Sequence, residues 1–235
     1  MINLIKKKYF FLFFKISSLF SNNIEKKFLS LPYNDICIIK KIKLPNIKYF
    51  IQNKYIKNKT YFIWNGNWCK KKKLINQYKN YSINYNSVFQ IFKKKINYKR
   101  CSEYKSKLND LKKYGITARG QKNTKELNLY FEDLIKLHKQ MKKSGYKSQQ
   151  SLNHKIGDEI GVFIGSNGEL IKAEDKYGGT HRFALAKILK LSDVYINVRG
   201  VHKNFLKKHV FKNMNLNDNE LIIKNKIKIF LKKYE

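Results

Sequence analysis

Proline, cysteine and acidic side chains are all scarce in this chain of 235 residues. Two prolines and eleven glycines exclude collagen-like and proline-rich linker classes, and three cysteines exclude a disulfide scaffold. The apolar run at residues 9–14 is interrupted by Lys15, far short of the ~20 residues of a membrane span. Only 16 acidic residues oppose 51 lysines and arginines, so the formal net charge is +35.

The basic excess has two competing explanations. Hydrophobic residues make up 43% of the chain, enough for a packed core, and a cationic surface favours nucleic acid because bound phosphates release counterions. Arginine, however, is usually preferred for phosphate recognition and is rare here. Lysine, asparagine, isoleucine, tyrosine and phenylalanine share A/T-rich codons, so compositional drift explains the charge without a ligand. The arginines are Arg100, Arg119, Arg182 and Arg199.

The N-terminal residues and the cysteines indicate the cellular compartment of the protein. Residues 1–20 mix lysines with aromatics and lack a small-residue cleavage site, which favours an amphipathic helix over a signal sequence or anchor. Attachment of this helix to a membrane surface is a further interpretation. Cys37, Cys69 and Cys101 stand 32 residues apart without zinc-ligand spacing, so reduced thiols and a cytoplasmic location are expected.

Local patterns predict several elements before the last third of the chain. Residues 35–39 and 61–64 form short strand-like runs in a lysine-rich, aromatic region. Apolar side chains at steps of three and four predict a helix over residues 126–143. Thr124 is its expected N-cap and Gly145 its stop, and His138 is expected to pack on its apolar stripe.

The most specific pattern lies between residues 156 and 200. A strand over 158–165, a tight Asn167-Gly168 turn with positive φ at both central residues, and a strand over 169–175 predict a hairpin. A helix over 183–190 and a strand over 194–199 follow. Acidic and basic residues number six each in this region, so the excess charge lies outside it.

The start of that helix has the chemistry of an anion site. Its sequence is Gly178-Gly179-Thr180-His181-Arg182, here called the GGTHR motif. Glycines allow close backbone approach, and first-turn N–H groups without partners join the helix dipole in attracting an anion. Thr180 can cap the helix, His181 is a titratable donor and Arg182 can hold a phosphate with two bonds. The alternative is purely structural: a glycine turn, a capping threonine and a hydrogen-bonding histidine.

This order of elements and motif resembles the core of the ParB/sulfiredoxin superfamily, whose members carry Gly-Gly-Cys-His-Arg or variants of Asp-Gly-x-His-Arg. The segments Gly66-Asn67-Trp68 and Gly145-Tyr146-Lys147-Ser148-Gln149, and Arg199 with His202, resemble an uncharacterised ParB-like subgroup. The resemblance implies an α+β fold, with a core of strand, hairpin, strand, helix and strand. We expect a helix-rich N-terminal extension over residues 1–125, the phosphate-binding core over 126–210 and a basic C-terminal helix over 211–235.

The resemblance also implies a phosphate pocket. In sulfiredoxin the motif holds ATP, in ParB it binds CTP, and a free-serine kinase of this fold uses Mg²⁺ and a carboxylate base. Gly178, Gly179, Thr180, His181 and Arg182 would then contact phosphates of ATP or CTP. Thr180 replaces the nucleophilic cysteine of sulfiredoxin, so reductase activity is not expected.

Two carboxylates end the returning strand just before the motif. Glu174 and Asp175 are the catalytic candidates beside His181, and Glu174 is the candidate Mg²⁺ ligand. A solvated strand end is the alternative interpretation of both. Gly178 stands where many relatives have Asp, so no catalytic role is carried over to that position.

Two function classes stay open. One is binding of a nucleotide or another phosphorylated small molecule at the GGTHR motif, extending to kinase-like, Mg²⁺-dependent phosphoryl transfer. The other is a non-enzymatic module that holds nucleic acid non-specifically through its lysine-rich flanks. They differ in whether the motif or the flanks meet the phosphate.

Overall fold

The computed structural model describes residues 37–55, 62–154, 158–174, 178–213 and 220–235. The fold is α+β, as expected, and is built on one mixed sheet. The amphipathic helix expected over residues 1–20 and the candidate Asp175 lie outside the described residues. Within those residues, no helix is both long enough and apolar enough to cross a membrane.

Short strands from two distant parts of the chain make up the sheet. They are β1 (Ile39–Lys43), β2 (Tyr49–Ile51), β3 (Ile63–Trp64), β4 (Lys73–Leu74), β5 (Ile160–Ile164), β6 (Leu170–Ala173) and β7 (Asp193–His202). Their order is β1-β7-β5-β6-β2-β4, and β3 also pairs with β7. β5 runs parallel to β7 and antiparallel to β6, while β2 runs parallel to β6. The sheet therefore combines strands from both sides of residue 125.

The α-helices of the described residues include the ones predicted over residues 126–143 and 183–190 and within 211–235. In chain order, these α-helices are α1 (Ile83–Phe92), α2 (Ser102–Tyr114), α3 (Thr124–Ser144), α4 (Thr180–Ile188), α5 (Lys203–His209) and α6 (Glu220–Leu231). Because α4 connects β6 to β7, it forms the crossover that the parallel pair β5 and β7 requires. On α3, His138 stacks on Phe92 with ring centroids 4.1 Å apart, which is a packing contact.

The N-cap of α3 corrects the sequence expectation by one residue. Asn123, not Thr124, occupies the capping position, and its side chain accepts a hydrogen bond from Glu126 N at 2.9 Å. The Glu126 carboxylate in turn accepts bonds from Asn123 Nδ2 at 3.0 Å and from Lys122 N at 2.8 Å. This reciprocal arrangement satisfies the backbone N–H groups of Lys122 and Glu126.

The hairpin between β5 and β6 is closed by a longer loop than the sequence predicted. Gly168 N donates to Gly165 O, and Gly165 N donates to Glu169 O, both at 3.0 Å. Gly168 has a φ of +85°, whereas Asn167 does not share this conformation. A turn followed by one left-handed glycine needs a single residue of positive φ, so the predicted two-residue turn is wrong.

Residues of β5 are buried on both faces of the sheet, and α4 packs on one of these faces. Ile160, Val162 and Ile164 belong to the large cluster beneath the helices, and Phe163 packs with the tryptophans on the opposite face. Phe183 of α4 is fully buried in the large cluster. Packing of this kind places the start of α4 beside the first residue of β5.

Candidate functional site

The two glycines of the GGTHR motif bring the backbone against β5. Gly178 and Gly179 have φ values of +85° and +70°, in the left-handed region that favours glycine. A Cβ on Gly179 would lie 2.4 Å from Ile160 Cα and 2.6 Å from Glu159 O. Position 179 therefore requires glycine for its conformation and for its close approach to the strand.

Helix α4 begins with backbone donors that no intrahelical carbonyl satisfies. Its first intrahelical bond runs from Phe183 N to Gly179 O at 2.8 Å. The N–H groups of Thr180, His181 and Arg182 consequently precede the hydrogen-bonded ladder. Gly179 is the N-cap and no side chain caps the helix, so the capping role expected for Thr180 is wrong. These donors and the helix dipole favour an anion at this end.

The buried side chains of Lys172 and Tyr78 contact the residues at the start of α4. Lys172 of β6 is fully buried, and its ammonium donates to the carbonyl oxygens of Ala173 and, at 3.3 Å, Gly178. Thr180 Oγ1 lies 3.4 Å from Tyr78 OH. Lys172 thereby ties the end of β6 to the first glycine of the motif and adds a buried positive charge near it.

The start of α4 opens into a cleft with a volume of about 670 Å³. Residues of α3 form one wall, and Gln149 lies on the lining together with the last four residues of the motif, whereas Gly178 does not. The volume falls within the ~300–1,000 Å³ of small-molecule sites. Three basic and two acidic side chains line it besides two histidines: Arg119, Lys136, Arg182, Asp133, Asp158, His154 and His181.

A buried glutamate holds the imidazole of His181. His181 Nε2 lies 2.8 Å from Oε2 of Glu103, whose side chain is 2% exposed. Tyr130 OH donates to the other carboxylate oxygen at 2.8 Å, and Lys107 Nζ lies 3.9 Å from the same oxygen. Glu103 belongs to α2 and Tyr130 to α3, so two helices position the ring of a residue on a third.

The charge state of Glu103 determines the tautomer of His181. Burial alone would raise the pKa of the Glu103 carboxyl, but the charge of His181 and hydrogen bonds from His181 and Tyr130 hold it below its ordinary value. An ionised carboxylate can only accept hydrogen bonds, so Nε2 of His181 must carry a hydrogen. Whenever the ring is neutral, its lone pair is therefore on Nδ1.

Arg182 and Gln149 are positioned by a second buried carboxylate. Glu159 accepts hydrogen bonds from Tyr146 OH at 2.8 Å and from Gln149 N at 2.5 Å. The guanidinium carbon of Arg182 lies 5.9 Å from the ring centroid of Tyr146, within range of a cation–π contact. Burial raises the pKa of Glu159, although the bonds from Gln149 and Tyr146 and the charge of Arg182 oppose the shift.

The amide of Gln149 is an unsatisfied donor on the cleft lining. Gln149 is 1% exposed, and its Nε2 has no hydrogen-bond partner among the described residues. Leaving such a buried group unpaired costs about 1–3 kcal/mol. A ligand acceptor that reached this atom would remove that cost.

Of the two predicted carboxylates, Glu174 does not join the motif in the cleft. Glu174 accepts a hydrogen bond from the backbone N–H of Asn53, which begins the turn after β2, and it is absent from the cleft lining. Asp175 lies outside the described residues. Within the described part of the chain, no group of three or more His, Cys, Asp or Glu residues is arranged to hold a metal ion.

Four site residues escaped sequence reasoning, for different reasons. Glu103, Tyr130 and Lys172 carry no local signal, because each acts through a contact with a distant part of the chain. Gln149 had one signal, its place in the Gly-Tyr-x-Ser-Gln segment of the ParB-like resemblance. That segment does reach the cleft, through Gln149 on its lining and through the contact of Tyr146 with Arg182.

Comparison with known proteins adds no relative. No protein-family model, curated protein or solved structure matches the chain.

Proposed function

We propose that this protein binds a nucleotide or another phosphorylated small molecule in the cleft, with a phosphate group against the GGTHR motif. The observation that carries the proposal is the convergence of donors at one end of the cleft. The uncapped first turn of α4, the imidazole of His181 and the guanidinium of Arg182 all belong to its lining. Phosphate is the anion best suited to such a combination.

The rest of the cleft suits the rest of such a ligand. The charged lining along α3 and the unsatisfied amide of Gln149 offer polar contacts to a sugar or a base. The ParB/sulfiredoxin resemblance supports ATP or CTP as the ligand. The residues that line the cleft do not select a particular base. Nucleotides and sugar phosphates are therefore both candidate ligands.

Kinase-like phosphoryl transfer is the reaction that the resemblance implies, and it forms the finer part of the proposal. His181 is suited to donate a proton to the phosphoryl group, because Glu103 fixes its ring through Nε2 and leaves Nδ1 to carry that proton. Glu174 is engaged by Asn53, so the proposal assigns Mg²⁺ no ligand among the described residues. Arg182 would neutralise charge on the transferred group.

A thermal-shift screen tests the binding proposal. ATP, CTP, GTP and a set of sugar phosphates, each with and without Mg²⁺, are added to the full chain. We expect at least one to raise the melting temperature, and we expect Arg182→Ala to abolish that shift. Arg100→Ala is the matched control, since Arg100 is exposed and absent from the cleft lining. Equal shifts in both variants, or no shift with any ligand, would reject the proposal.

A further inference from the structure

His181 lies between a buried anion and the proposed anion site. Glu103 accepts the hydrogen on Nε2 from one side, and Tyr130 OH occupies its other oxygen. On the remaining side, Nδ1 of His181 has no hydrogen-bond partner among the described residues, and the residue lines the cleft. An unprotonated phosphate oxygen that meets Nδ1 can bond to it only if Nδ1 also carries a hydrogen.

We propose that the cleft takes a terminal phosphomonoester, and that its binding places a second proton on His181. This inference rests on the proposed function and names the phosphate class that the site selects. The proton comes from solvent and adds to the Nδ1 lone pair. The resulting imidazolium bonds the Glu103 carboxylate through Nε2–H and the phosphate through Nδ1–H.

The groups around His181 favour this charge arrangement. From α2 it faces Glu103, with Lys107 behind that carboxylate, and from α3 it faces Tyr130. The ammonium of Lys107 lies 3.9 Å from Glu103 Oε1 but does not replace His181 as the donor to Oε2. The other charged or titratable groups on the same cleft are Arg119, Asp133, Lys136, His154, Asp158 and Arg182.

The number of donors favours a monoester over a diester. A terminal phosphate has three non-bridging oxygens and carries nearly two charges near neutral pH, because its second pKa is about 6. The imidazolium, the Arg182 guanidinium and the backbone N–H groups of α4 supply one set of donors for each oxygen. A diester, as in a nucleic-acid backbone, has two such oxygens and one charge, so one set of donors would stay unpaired.

Calorimetric titration with methyl phosphate and dimethyl phosphate tests the inference without assuming a base or a sugar. Near pH 8 methyl phosphate is a dianion, and titration in two buffers of different ionisation enthalpy counts the protons taken up. We expect uptake of about one proton per bound methyl phosphate, and binding of dimethyl phosphate weaker by at least about tenfold.

Two variants assign the proton to His181. His181→Gln keeps an amide donor for Glu103 but cannot titrate, so we expect uptake to fall to zero while circular dichroism shows a folded chain. His138→Gln is the matched control, because His138 stacks on Phe92 and is absent from the cleft lining, and it should retain uptake. If methyl phosphate or a nucleotide binds without proton uptake, or dimethyl phosphate binds equally well, the inference is wrong and the proposed function stands. If no phosphorylated ligand binds, both are wrong.

Discussion

Nε2 of His181 lies 2.8 Å from Oε2 of Glu103, although 78 residues separate the two in the chain. The contact joins the first turn of α2 to the first turn of α4. It brings residues from both sides of position 125 into one site, and it orients the only histidine of the GGTHR motif.

The buried carboxylate of Glu103 should contribute strongly to stability. Glu103→Ala removes the acceptor of His181 and Tyr130 and leaves the ammonium of the buried Lys107 without its carboxylate partner. We expect a loss of about 3 kcal/mol in the free energy of unfolding, measured by urea denaturation. The exposed Glu132→Ala is the control and should change it by less than about 0.5 kcal/mol. Equal losses of unfolding free energy in the two variants would show that the contacts of Glu103 contribute nothing to stability.

The buried carboxyl groups of Glu103 and Glu159 should make the free energy of unfolding depend on pH with opposite signs. The pKa of Glu103 is lowered in the fold, so its stabilisation is present above the unfolded value of about 4.3 and is lost as pH falls through the lower folded value. The pKa of Glu159 is raised, so its contribution is present below about 4.3 and is lost as pH rises through the higher folded value.

Denaturation across pH 3 to pH 7, roughly the window of these titrations, separates the two carboxylates. Relative to the unmodified chain, Glu103→Gln should become less destabilising as pH falls. The unmodified chain then loses the stabilisation that the ionised Glu103 carboxylate provides. Glu159→Gln should become less destabilising as pH rises. The same slope in both variants would contradict the assigned shifts.

Gly179 should tolerate no side chain. In Gly179→Ala the new Cβ meets the backbone of Glu159 and Ile160 in a residue with a φ of +70°, so the helix start must move. We expect a loss of at least about 2 kcal/mol in the free energy of unfolding. Gly120→Ala is a matched control, because Gly120 also has positive φ but nothing lies within 4 Å of its Cβ. A cost no larger than that of the control, about 1 kcal/mol, would remove the steric argument.

Cys69 should ionise near neutral pH, unlike Cys101. Burial alone would raise the pKa of Cys69, but hydrogen bonding with His202 and with Ser166, whose Oγ lies 3.4 Å from the sulfur, brings it to about 7. Burial raises the pKa of Cys101. Ultraviolet absorbance of the thiolate should therefore rise near pH 7 in the unmodified chain and in Cys101→Ser, and not in Cys69→Ser. A rise that persists in Cys69→Ser would disprove the assignment.

Local patterns predicted the elements of the core because their signals lie within a few residues. The β5–β6 hairpin, α4 and β7 all form where turn glycines and apolar periodicity indicated. The cap of α3 and the loop between β5 and β6 differed from the prediction, because neighbouring residues compete for the same role. Asn123 displaced Thr124 as a cap because Glu126 bonds back to it, and Gly168 alone supplied the positive φ of the loop.

The partners of the motif could not be predicted, since they arise from tertiary packing. Nothing in the lysine-rich sequence of α2 distinguishes Glu103 from an ordinary acid in the first turn of a helix. Glu174 looked free for catalysis, but its side chain meets the backbone of Asn53, a neighbour that only the pairing of β2 with β6 brings close. Lys172 carries no local sign of burial, yet it is buried beside the motif.

The most direct measurement of the central claim is a titration of the isotopically labelled full chain with methyl phosphate, followed by backbone amide chemical shifts. If phosphate binds at the motif, the amides of Thr180, His181 and Arg182 should shift first and saturate together, and Arg182→Ala should suppress the change. Unchanged amides at these positions, or shifts confined to exposed lysine-rich helices, would contradict the site proposed here.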